Sequence, residues 1–262
     1  MRRNFVTLDV FTDRRFAGNP LAVVLDAEGL ETAAMQAIAR EFNHPETVFV
    51  FTPAEPAHRA RLRIFTPMRE LPFAGHPTVG TAVLLGLRDG GGAGRAIVLE
   101  EGIGPVSCTL ESGAVGHGRA RFALAQLPAE AGAAADDATI AAALGLAPAE
   151  IGLGELRPAR WSAGIAFTFV PVAGLAAIAR CRADLASFDS AFPDGAVYIF
   201  CGETVERGHA FHVRMFAPAF GVAEDLQRAH KHAVARLDQA VLCDPLPGAR
   251  TAGSVEIPRH CR

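Results

Sequence analysis

The stretch Arg63-Ile-Phe-Thr-Pro-Met-Arg-Glu-Leu-Pro-Phe-Ala-Gly-His-Pro-Thr-Val-Gly-Thr-Ala-Val-Leu-Leu-Gly86 predicts a strand, a tight polar turn and then a helix that begins at Gly75-His76-Pro77. Proline is well tolerated in the first turn of a helix, because the N–H that it lacks would have no acceptor inside the helix. From Pro77 to Leu87 the predicted helix carries no charged residue. A helix that is apolar on all sides is usually enclosed by protein rather than laid on its surface, so we expect a buried helix here.

The start of this helix predicts a site for a small anion. The first N–H groups of a helix have no acceptor within it, and they point out of an end where the helix dipole favours negative charge. In this sequence those groups belong to Gly75 and His76. A buried helix end of this kind binds carboxylates and developing negative charge.

The same segment carries a resemblance to a known family. Leu71-Pro-Phe-Ala-Gly-His-Pro-Thr-Val-Gly-Thr81 resembles the signature of the PhzF-like isomerases of phenazine biosynthesis. The likeness extends from about residue 4 to residue 225. The further segments that resemble this family are Leu8–Asp13, Phe16–Val23, Met35–Glu41, Pro45–Phe49, Val197–Phe200, His212–Pro218 and Glu224–Asp225.

The resemblance implies a fold and an activity. The fold is the diaminopimelate-epimerase-like α+β fold, in which two similar lobes each form a barrel-like sheet around a central helix, with the active site in the cleft between them. The activity is cofactor-independent isomerisation, a proton shift within a small carboxylated metabolite, in a homodimer. The hydrophobic pattern by itself supports α+β with two lobes. We expect an N-terminal lobe over residues 1–115 and a C-terminal lobe over residues 116–262.

Composition narrows the classes of function. Half of the 262 residues are hydrophobic and 20% are charged, as in a globular protein with a substantial core. The formal net charge of −3 gives no broad attraction to nucleic acid or to an anionic membrane. The N-terminus lacks the apolar core of a signal peptide, and the cysteines show no paired or metal-like spacing, which fits reduced thiols in a cytoplasmic protein.

One charge-free run, from Trp161 to Ala179, is long enough to raise the question of a membrane span. It contains Gly164, Pro171 and Gly174, which are typical of strand ends and turns. A buried strand followed by a short helix is therefore the favoured interpretation.

Glu46 is the candidate catalytic acid–base. It lies between a predicted helix, Thr32–Phe42, and a predicted apolar strand, Thr47–Phe51. A carboxylate in such a partly desolvated place can have a raised pKa and can shuttle protons. A surface glutamate at a loop–strand junction is the alternative, and it is the commoner one on the sequence alone. The resemblance favours catalysis, because Glu46 aligns with the acid–base glutamate of the family.

Three further residues are candidates for substrate binding beside Gly75. His76 is either a core or capping histidine or a functional one, since a helix N-terminus favours the neutral ring; the resemblance implies contact with substrate. Asp225 would otherwise be an N-cap or surface acid, and it matches the family aspartate that faces the glutamate across the cleft. Asn19 in Gly18-Asn-Pro20 is a good turn former, and the resemblance places it near the site.

Neither a metal site nor a cofactor is expected. His209 and His212 would point to different faces of a strand, and His230 and His232 would not share a face of a helix. Epimerisation by a facing pair of thiols, as in diaminopimelate epimerase, is disfavoured because the cysteines lie outside the motifs.

The family pattern breaks after Asp225. In PhzF-like proteins this aspartate is followed by Pro-Ala-Thr-Gly-Ser, whose glycine and serine help to bind the substrate carboxylate, and then by a second central helix. Here Leu226-Gln-Arg-Ala-His230 follows instead, and the only lysine of the chain, Lys231, comes next. The codons CTG-CAA-CGG-GCT-CAC encode Leu-Gln-Arg-Ala-His. If the preceding Asp codon ends in C and reading starts at that C, the same bases give the codons CCT-GCA-ACG-GGC-TCA. These codons encode Pro-Ala-Thr-Gly-Ser.

We therefore favour a single-base deletion, or a sequencing error, just after Asp225, over a naturally divergent C-terminus. Residues 226–262 would then be off-frame, and the polar stretch Gln227–Arg236 could not replace an apolar central helix without burying charge. This predicts an incomplete, poorly packed second lobe. It leaves an alternative function, a catalytically impaired remnant or small-molecule-binding protein that lacks the second half of its site.

Overall fold

The structure is a computed structural model that describes residues 2–12, 16, 18–90, 93–114, 116–124, 127–205, 210–225 and 250–256, with the backbone alone for 112–114, 225 and 250–256. The chain forms two compact units, Met1–Ala125 with Pro247–Arg262, and Gln126–Leu246. The lobe boundary predicted between residues 115 and 116 falls at the turn of a β-hairpin whose two strands both belong to the first unit.

Within the described residues, the first unit contains two α-helices and nine strands. The helices are α1 (Thr32–Phe42) and α2 (Gly75–Arg88). The strands are β1 (Phe5–Val10), β2 (Asn19–Val24), β3 (Glu46–Phe51), β4 (Ala60–Phe65), β5 (Glu70–Leu71), β6 (Ala96–Glu101), β7 (Gly104–Ala114), β8 (His117–Ala123) and β15 (Arg250–Glu256).

These strands close into a barrel around α2. Their order is β3-β2-β1-β15-β8-β7-β6-β4-β5, and β3 also pairs with β4, so the sheet returns to its first strand. The helix contacts β1, β2, β3, β6, β7, β8 and β15. Every residue from His76 to Gly86 is buried, which confirms the buried helix that the charge-free sequence predicts.

Two glycines allow α2 to lie this close to its sheet. A Cβ added at Gly80 would lie 2.7 Å from Leu21 Cδ2, and one added at Gly86 would lie 2.4 Å from Leu110 Cδ2. Real Cβ atoms do not approach neighbours so closely, because protein interiors are already close-packed. The glycines therefore fix the depth of the helix in the barrel.

On the outside of the barrel, α1 packs with Met35 and Ala39 against the aromatic rings of Phe49 and Phe65. The helix ends at Phe42 because Asn43 takes a left-handed conformation and its N–H bonds to Ala39 O. These are the bounds that the sequence predicted for this helix.

The described part of the second unit has three short α-helices and a second sheet. Its elements are β9 (Ala129–Glu130), α3 (Asp137–Leu144), β10 (Ala159–Ser162), β11 (Ala166–Pro171), α4 (Leu175–Arg180), α5 (Phe188–Ala191), β12 (Val197–Cys201), β13 (His212–Ala217) and β14 (Val222–Asp225). The sheet order is β14-β13-β12-β11-β10-β9. The helices pack on the face that presents Val170, Ile199 and Phe216, while Phe169 and Phe200 lie on the other face with Trp161 and Tyr198.

The charge-free run from Trp161 to Ala179 is a strand followed by a short helix, as predicted. None of the helices that the structure describes is long and apolar enough to cross a membrane. The predictions about Leu226–His230, Lys231 and the Gln227–Arg236 stretch lie outside the described residues. Farther along, the backbone of β15 pairs with β1 and β8 in the first sheet.

Candidate active site

Two neighbouring strands bring Glu46 and Asn19 to the start of α2. β2 and β3 are parallel, with Leu21 opposite Glu46. Side chains alternate between the faces of a strand, so Asn19 shares the face of Leu21, whose side chain lies against Gly80 of α2. Asn19 is the first residue of β2 and pairs with Val10. It is therefore in a strand and not in the turn that the sequence suggested, because β1 supplies a ladder for its backbone.

His76 connects these two residues. Its Nε2 lies 3.2 Å from Glu46 Oε2, and its Nδ1 lies 3.2 Å from Asn19 Nδ2. All three side chains are buried, with exposed fractions of 8% for Glu46, 4% for His76 and 2% for Asn19. Buried polar groups of this kind require polar neighbours, and the His76 ring places one nitrogen beside each of the other two side chains.

The contact with Asn19 assigns a tautomer to the neutral imidazole. An amide nitrogen can only donate, so with Nδ2 of Asn19 facing Nδ1 of His76 the neutral ring carries its proton on Nε2. Nε2 faces the Glu46 carboxylate at 3.2 Å, which is ion-pair distance. The arrangement thus places the imidazole between an amide and a carboxylate inside the barrel.

The backbone at this point has the anion-binding geometry of a helix start. Ala74 is the N-cap residue of α2 in an extended conformation. Pro77 has no N–H, and the Thr78 N–H donates to Ala74 O at 3.2 Å. The N–H groups that the helix does not use internally therefore belong to Gly75 and His76, beside Glu46.

Phe11 forms another wall of the site. Its ring lies edge-on to the His76 ring, with the centroids 6.4 Å apart. Its φ is 63°, a left-handed conformation that is unfavourable for a bulky residue. Strained residues of this kind concentrate at functional sites. No sequence signal singles out Phe11, because neither its φ nor its contact with His76 can be inferred from local sequence.

A second carboxyl approaches the same helix turn from another strand. Glu101, the last residue of β6, is buried, and its Oε1 lies 2.8 Å from Thr78 Oγ1. Burial raises its pKa to about 8, while the Thr78 hydrogen bond acts in the opposite direction. Alternation in β6 could have revealed it, since Ile97, Leu99 and Glu101 share the inward face.

Of the candidates taken from the sequence, Glu46, Gly75, His76 and Asn19 come together at one place. Asp225 belongs to the second unit, where its backbone ends β14 opposite Met215. Among the described residues, no group of three or more potential metal ligands occurs together. The catalytic and binding roles of these residues stay predictions.

Comparison with known proteins agrees with this fold and motif pattern. The family model of phenazine biosynthesis-like proteins, PhzC-PhzF, matches residues 8–227. The match thus ends two residues after Asp225, near the point where the family motif breaks.

Two curated relatives are similar over most of the chain. An uncharacterized isomerase of Mesorhizobium japonicum is 52% identical over 229 residues, which cover 85% of this chain and 76% of the relative. A trans-2,3-dihydro-3-hydroxyanthranilate isomerase of Pseudomonas chlororaphis is 35% identical over 227 residues, which cover 85% of this chain and 74% of the relative.

Solved structures share the fold. A PhzF-family phenazine biosynthesis protein of Bacillus anthracis has a TM-score of 0.77 at 21% identity, covering 99% of this chain and 98% of that one. A probable proline racemase of Agrobacterium radiobacter has a TM-score of 0.58 at 10% identity, covering 98% of this chain and 90% of that one. The α+β fold is therefore the one that PhzF proteins share with this racemase.

Proposed function

The chain belongs to the PhzC-PhzF family of phenazine biosynthesis-like proteins, a family of isomerases, and we propose that it moves a proton between two carbons of a small carboxylated metabolite without a cofactor. The observation that carries this proposal is the 3.2 Å contact of Glu46 Oε2 with His76 Nε2 at the start of a buried helix. A carboxylate and a helix N-terminus lie side by side, and they can act on the same bound molecule.

In the proposed reaction, the Glu46 carboxylate removes a proton from a carbon of the substrate. The C–H bond breaks, an O–H bond forms on Glu46, and the electron pair enters the conjugated system of the substrate, whose double bond shifts. Glu46 then returns the proton to a different carbon. The steps balance without any oxidant, reductant or added group, and one carboxyl acts in turn as base and acid.

The start of α2 stabilises the charge that develops. The substrate carboxylate accepts hydrogen bonds from the N–H groups of Gly75 and His76, where the helix dipole favours negative charge. Preorganised donors of this kind stabilise an anionic transition state without having to reorient. His76 Nε2 gives the Glu46 carboxylate a polar neighbour at 3.2 Å between the two proton transfers.

Asp225 and Asn19 complete the proposal. Asn19 fixes the tautomer of His76, and its Oδ1 is buried without a hydrogen-bond partner among the described residues, so it offers an acceptor to a substrate N–H or O–H. Asp225 is assigned a substrate contact on the strength of the motif alone. A cytoplasmic homodimer is also part of the proposal, and light scattering on the purified protein measures the assembly.

The test uses trans-2,3-dihydro-3-hydroxyanthranilate, for which the Pseudomonas relatives are named. The purified protein is incubated with it in heavy water, and proton NMR follows the double-bond shift and deuterium incorporation at carbon. Glu46→Gln is expected to abolish both, since an amide cannot accept the proton. Glu41→Gln is the matched control, because Glu41 is an exposed glutamate near the end of α1. Activity that survives Glu46→Gln would remove Glu46 from the mechanism.

One observation favours a second candidate function. The family match ends at residue 227, where Leu226-Gln-Arg-Ala-His230 replaces the family motif. A remnant that binds a carboxylate at Gly75 and His76 but does not turn it over would bind 3-hydroxyanthranilate, a stable aromatic analogue, with no exchange of carbon-bound protons. Calorimetry of this analogue, together with the exchange assay, separates the two functions.

A further inference from the structure

The barrel contains a buried carboxyl that the proposed reaction does not use. Glu101 has an exposed fraction of 8% and lies at the inner face of β6. Its Oε2 is buried without a hydrogen-bond partner among the residues that the structure describes. Its Oε1 reaches the first turn of α2 through the hydroxyl of Thr78.

The Thr78 hydroxyl links this carboxyl to the N-cap residue of the helix. Thr78 Oγ1 lies 2.8 Å from Glu101 Oε1 and 2.8 Å from Ala74 O. A hydroxyl has one proton, so it can donate to only one of these oxygens. If it donates to Ala74 O, Glu101 must supply the proton for its own bond to Oγ1, which requires a neutral carboxylic acid.

Ionisation of Glu101 would change this arrangement. The hydroxyl of Thr78 would turn to the carboxylate, and Ala74 O would keep only the 3.2 Å hydrogen bond from the Thr78 N–H. A negative charge would also stand beside the helix start, in surroundings where charges interact more strongly than in water. Both changes act on the residue that precedes Gly75 and His76.

We propose that Glu101 is a positioning residue for the substrate carboxylate. Its neutral carboxyl acts through Thr78 to hold the backbone of the Ala74–His76 segment in the conformation that accepts an anion. Because it is neutral, it also adds no negative electrostatic potential at this point. This inference rests on the proposed function, because it assigns the substrate carboxylate to the start of α2. It predicts that anion binding weakens when Glu101 loses its proton.

Burial raises the pKa of Glu101 to about 8, and it raises the pKa of the neighbouring Cys108 thiol to about 12. Glu46 and His76 also lie at the helix start, but they are unchanged in Glu101→Gln, so a transition of theirs would persist in that variant. A surface groove of about 520 Å³ that Glu101 also lines carries two cationic and two anionic side chains. These are Arg61, Arg63, Glu70 and Glu100.

None of these four charged side chains of the groove accounts for a transition near pH 8. Arg63 bonds through two nitrogens to Glu70. The Glu100 pKa is lowered to about 2 by backbone N–H groups. Arginine stays protonated throughout the accessible range. A transition near pH 8 that disappears with Glu101 therefore reports Glu101 itself.

The experiment follows the amide ¹⁵N and ¹H shifts of Gly75 and His76 in the ligand-free protein from about pH 6 to about pH 10. In the unsubstituted protein both amides are expected to shift with a midpoint near 8, and in Glu101→Gln this transition is expected to vanish. Glu111→Gln is the matched control, since Glu111 pairs with Arg121 on the outer surface, and it should keep the transition. A transition that persists in Glu101→Gln overturns the proposal.

Thr78 variants test the relay even where Glu101→Gln fails to fold. Thr78→Val keeps the shape and removes the hydroxyl, so the amide response to pH is expected to shrink by at least half, and Thr78→Ser is expected to restore it. An unchanged response in Thr78→Val overturns the relay.

Binding of 3-hydroxyanthranilate, measured by calorimetry at the same pH values, gives the functional readout. Its Kd is expected to rise about tenfold across the transition in the unsubstituted protein and to stay level in Glu101→Gln. If the amides titrate as expected but this acid does not bind, the proposed substrate class fails while the coupling of Glu101 to the helix start stands. If the acid binds with the same pH dependence in both proteins, the positioning role is overturned and the proposed function is untouched.

Discussion

His76 Nε2 lies 3.2 Å from Glu46 Oε2, which brings the imidazole and the carboxylate together at the start of α2, and under the proposed function the two act as one unit. The opposite ring nitrogen faces Asn19 Nδ2, so the neutral histidine has its proton on the side that faces Glu46. The predictions about catalysis follow from this arrangement of the three side chains.

A double-mutant cycle tests the unit. We expect Glu46→Gln to lower kcat by about 10²–10⁴-fold, the usual contribution of a general acid–base. We expect His76→Leu to lower it by about 10–100-fold, because the buried Glu46 carboxylate loses its polar neighbour. The double variant should be no slower than Glu46→Gln alone, since residues that act as one unit show non-additive effects. Effects that multiply in the measured kcat values would show that the two residues act independently.

The Asn19 side chain predicts a tautomer effect. Asn19→Asp replaces the donor to His76 Nδ1 by an acceptor of the same shape, so the ring proton should move to Nδ1 or the ring should become cationic. We expect kcat to fall about 10–100-fold, and ¹⁵N NMR of the His76 ring to report a protonated Nδ1. Asn4→Asp is the control, because the side chain of Asn4 is exposed at the start of the chain. An Nδ1 that stays unprotonated in Asn19→Asp would contradict the assignment.

Much of the first unit could be predicted from sequence because α2 carries no charged residue from Pro77 to Leu87. A helix without a polar face must be enclosed, and the barrel encloses it. Glu46 and His76 could be selected because they match the motifs of the family, since position alone left Glu46 as a surface glutamate and His76 as a core or capping histidine. Their contact could not be derived, since it depends on the parallel pairing of β2 with β3, which joins residues far apart in the chain.

Other features depended on tertiary context that no local pattern contains. Asn19 resembled a turn residue, but its backbone pairs with β1, so it is the first residue of a strand. β15 enters the first sheet from the far end of the chain, between β1 and β8. Glu101 is the exception, because its alternation with Ile97 and Leu99 along β6 is a local pattern that marks the inward face.

The packing of α2 predicts a steric coupling between Gly86 and Leu110. A Cβ at Gly86 would come within 3.0 Å of three atoms of the fully buried Leu110 side chain. Overpacking costs about 1–3 kcal/mol, while alanine gains up to about 1 kcal/mol in helix propensity, so Gly86→Ala should lower the free energy of unfolding by about 1 kcal/mol.

Urea unfolding of Gly86→Ala, Leu110→Ala and the double variant measures this coupling. The double variant should be more stable than the sum of the single effects predicts, because the smaller Leu110 side chain makes room for the added methyl group. If the stability effects of the two substitutions simply add, α2 shifts to accommodate the new methyl group instead of clashing with Leu110.

The buried carboxyl of Glu101 predicts that stability depends on pH. Burial raises its folded-state pKa to about 8 from an ordinary value of 4.5. The folded state therefore binds this proton more tightly than the unfolded state, and its stability falls as the pH rises between these values, by about 1.4 kcal/mol for each unit of pKa difference.

Urea unfolding at about pH 5 and about pH 9 measures this loss, which should reach a few kcal/mol in the unsubstituted protein. In Glu101→Gln, which stays neutral, most of the loss should disappear, whereas Glu111→Gln should behave like the unsubstituted protein. An equal loss in Glu101→Gln would assign the pH dependence to other groups.

The break after Asp225 predicts a missing base in the coding DNA. Sequencing the source genome around codon 225 should reveal one more base than this reading contains, with Pro-Ala-Thr-Gly-Ser following Asp225. The protein made from that frame should have a kcat/KM at least about 100-fold higher than this chain, because a glycine and a serine would again bind the substrate carboxylate, each hydrogen bond to a charged group contributing about 1.5–3 kcal/mol. If the genome confirms Leu226-Gln-Arg-Ala-His230 and this chain turns over substrate as fast as the Pseudomonas relatives, the frameshift and the remnant are both wrong. If the genome confirms it and no turnover is seen, the remnant is the better account.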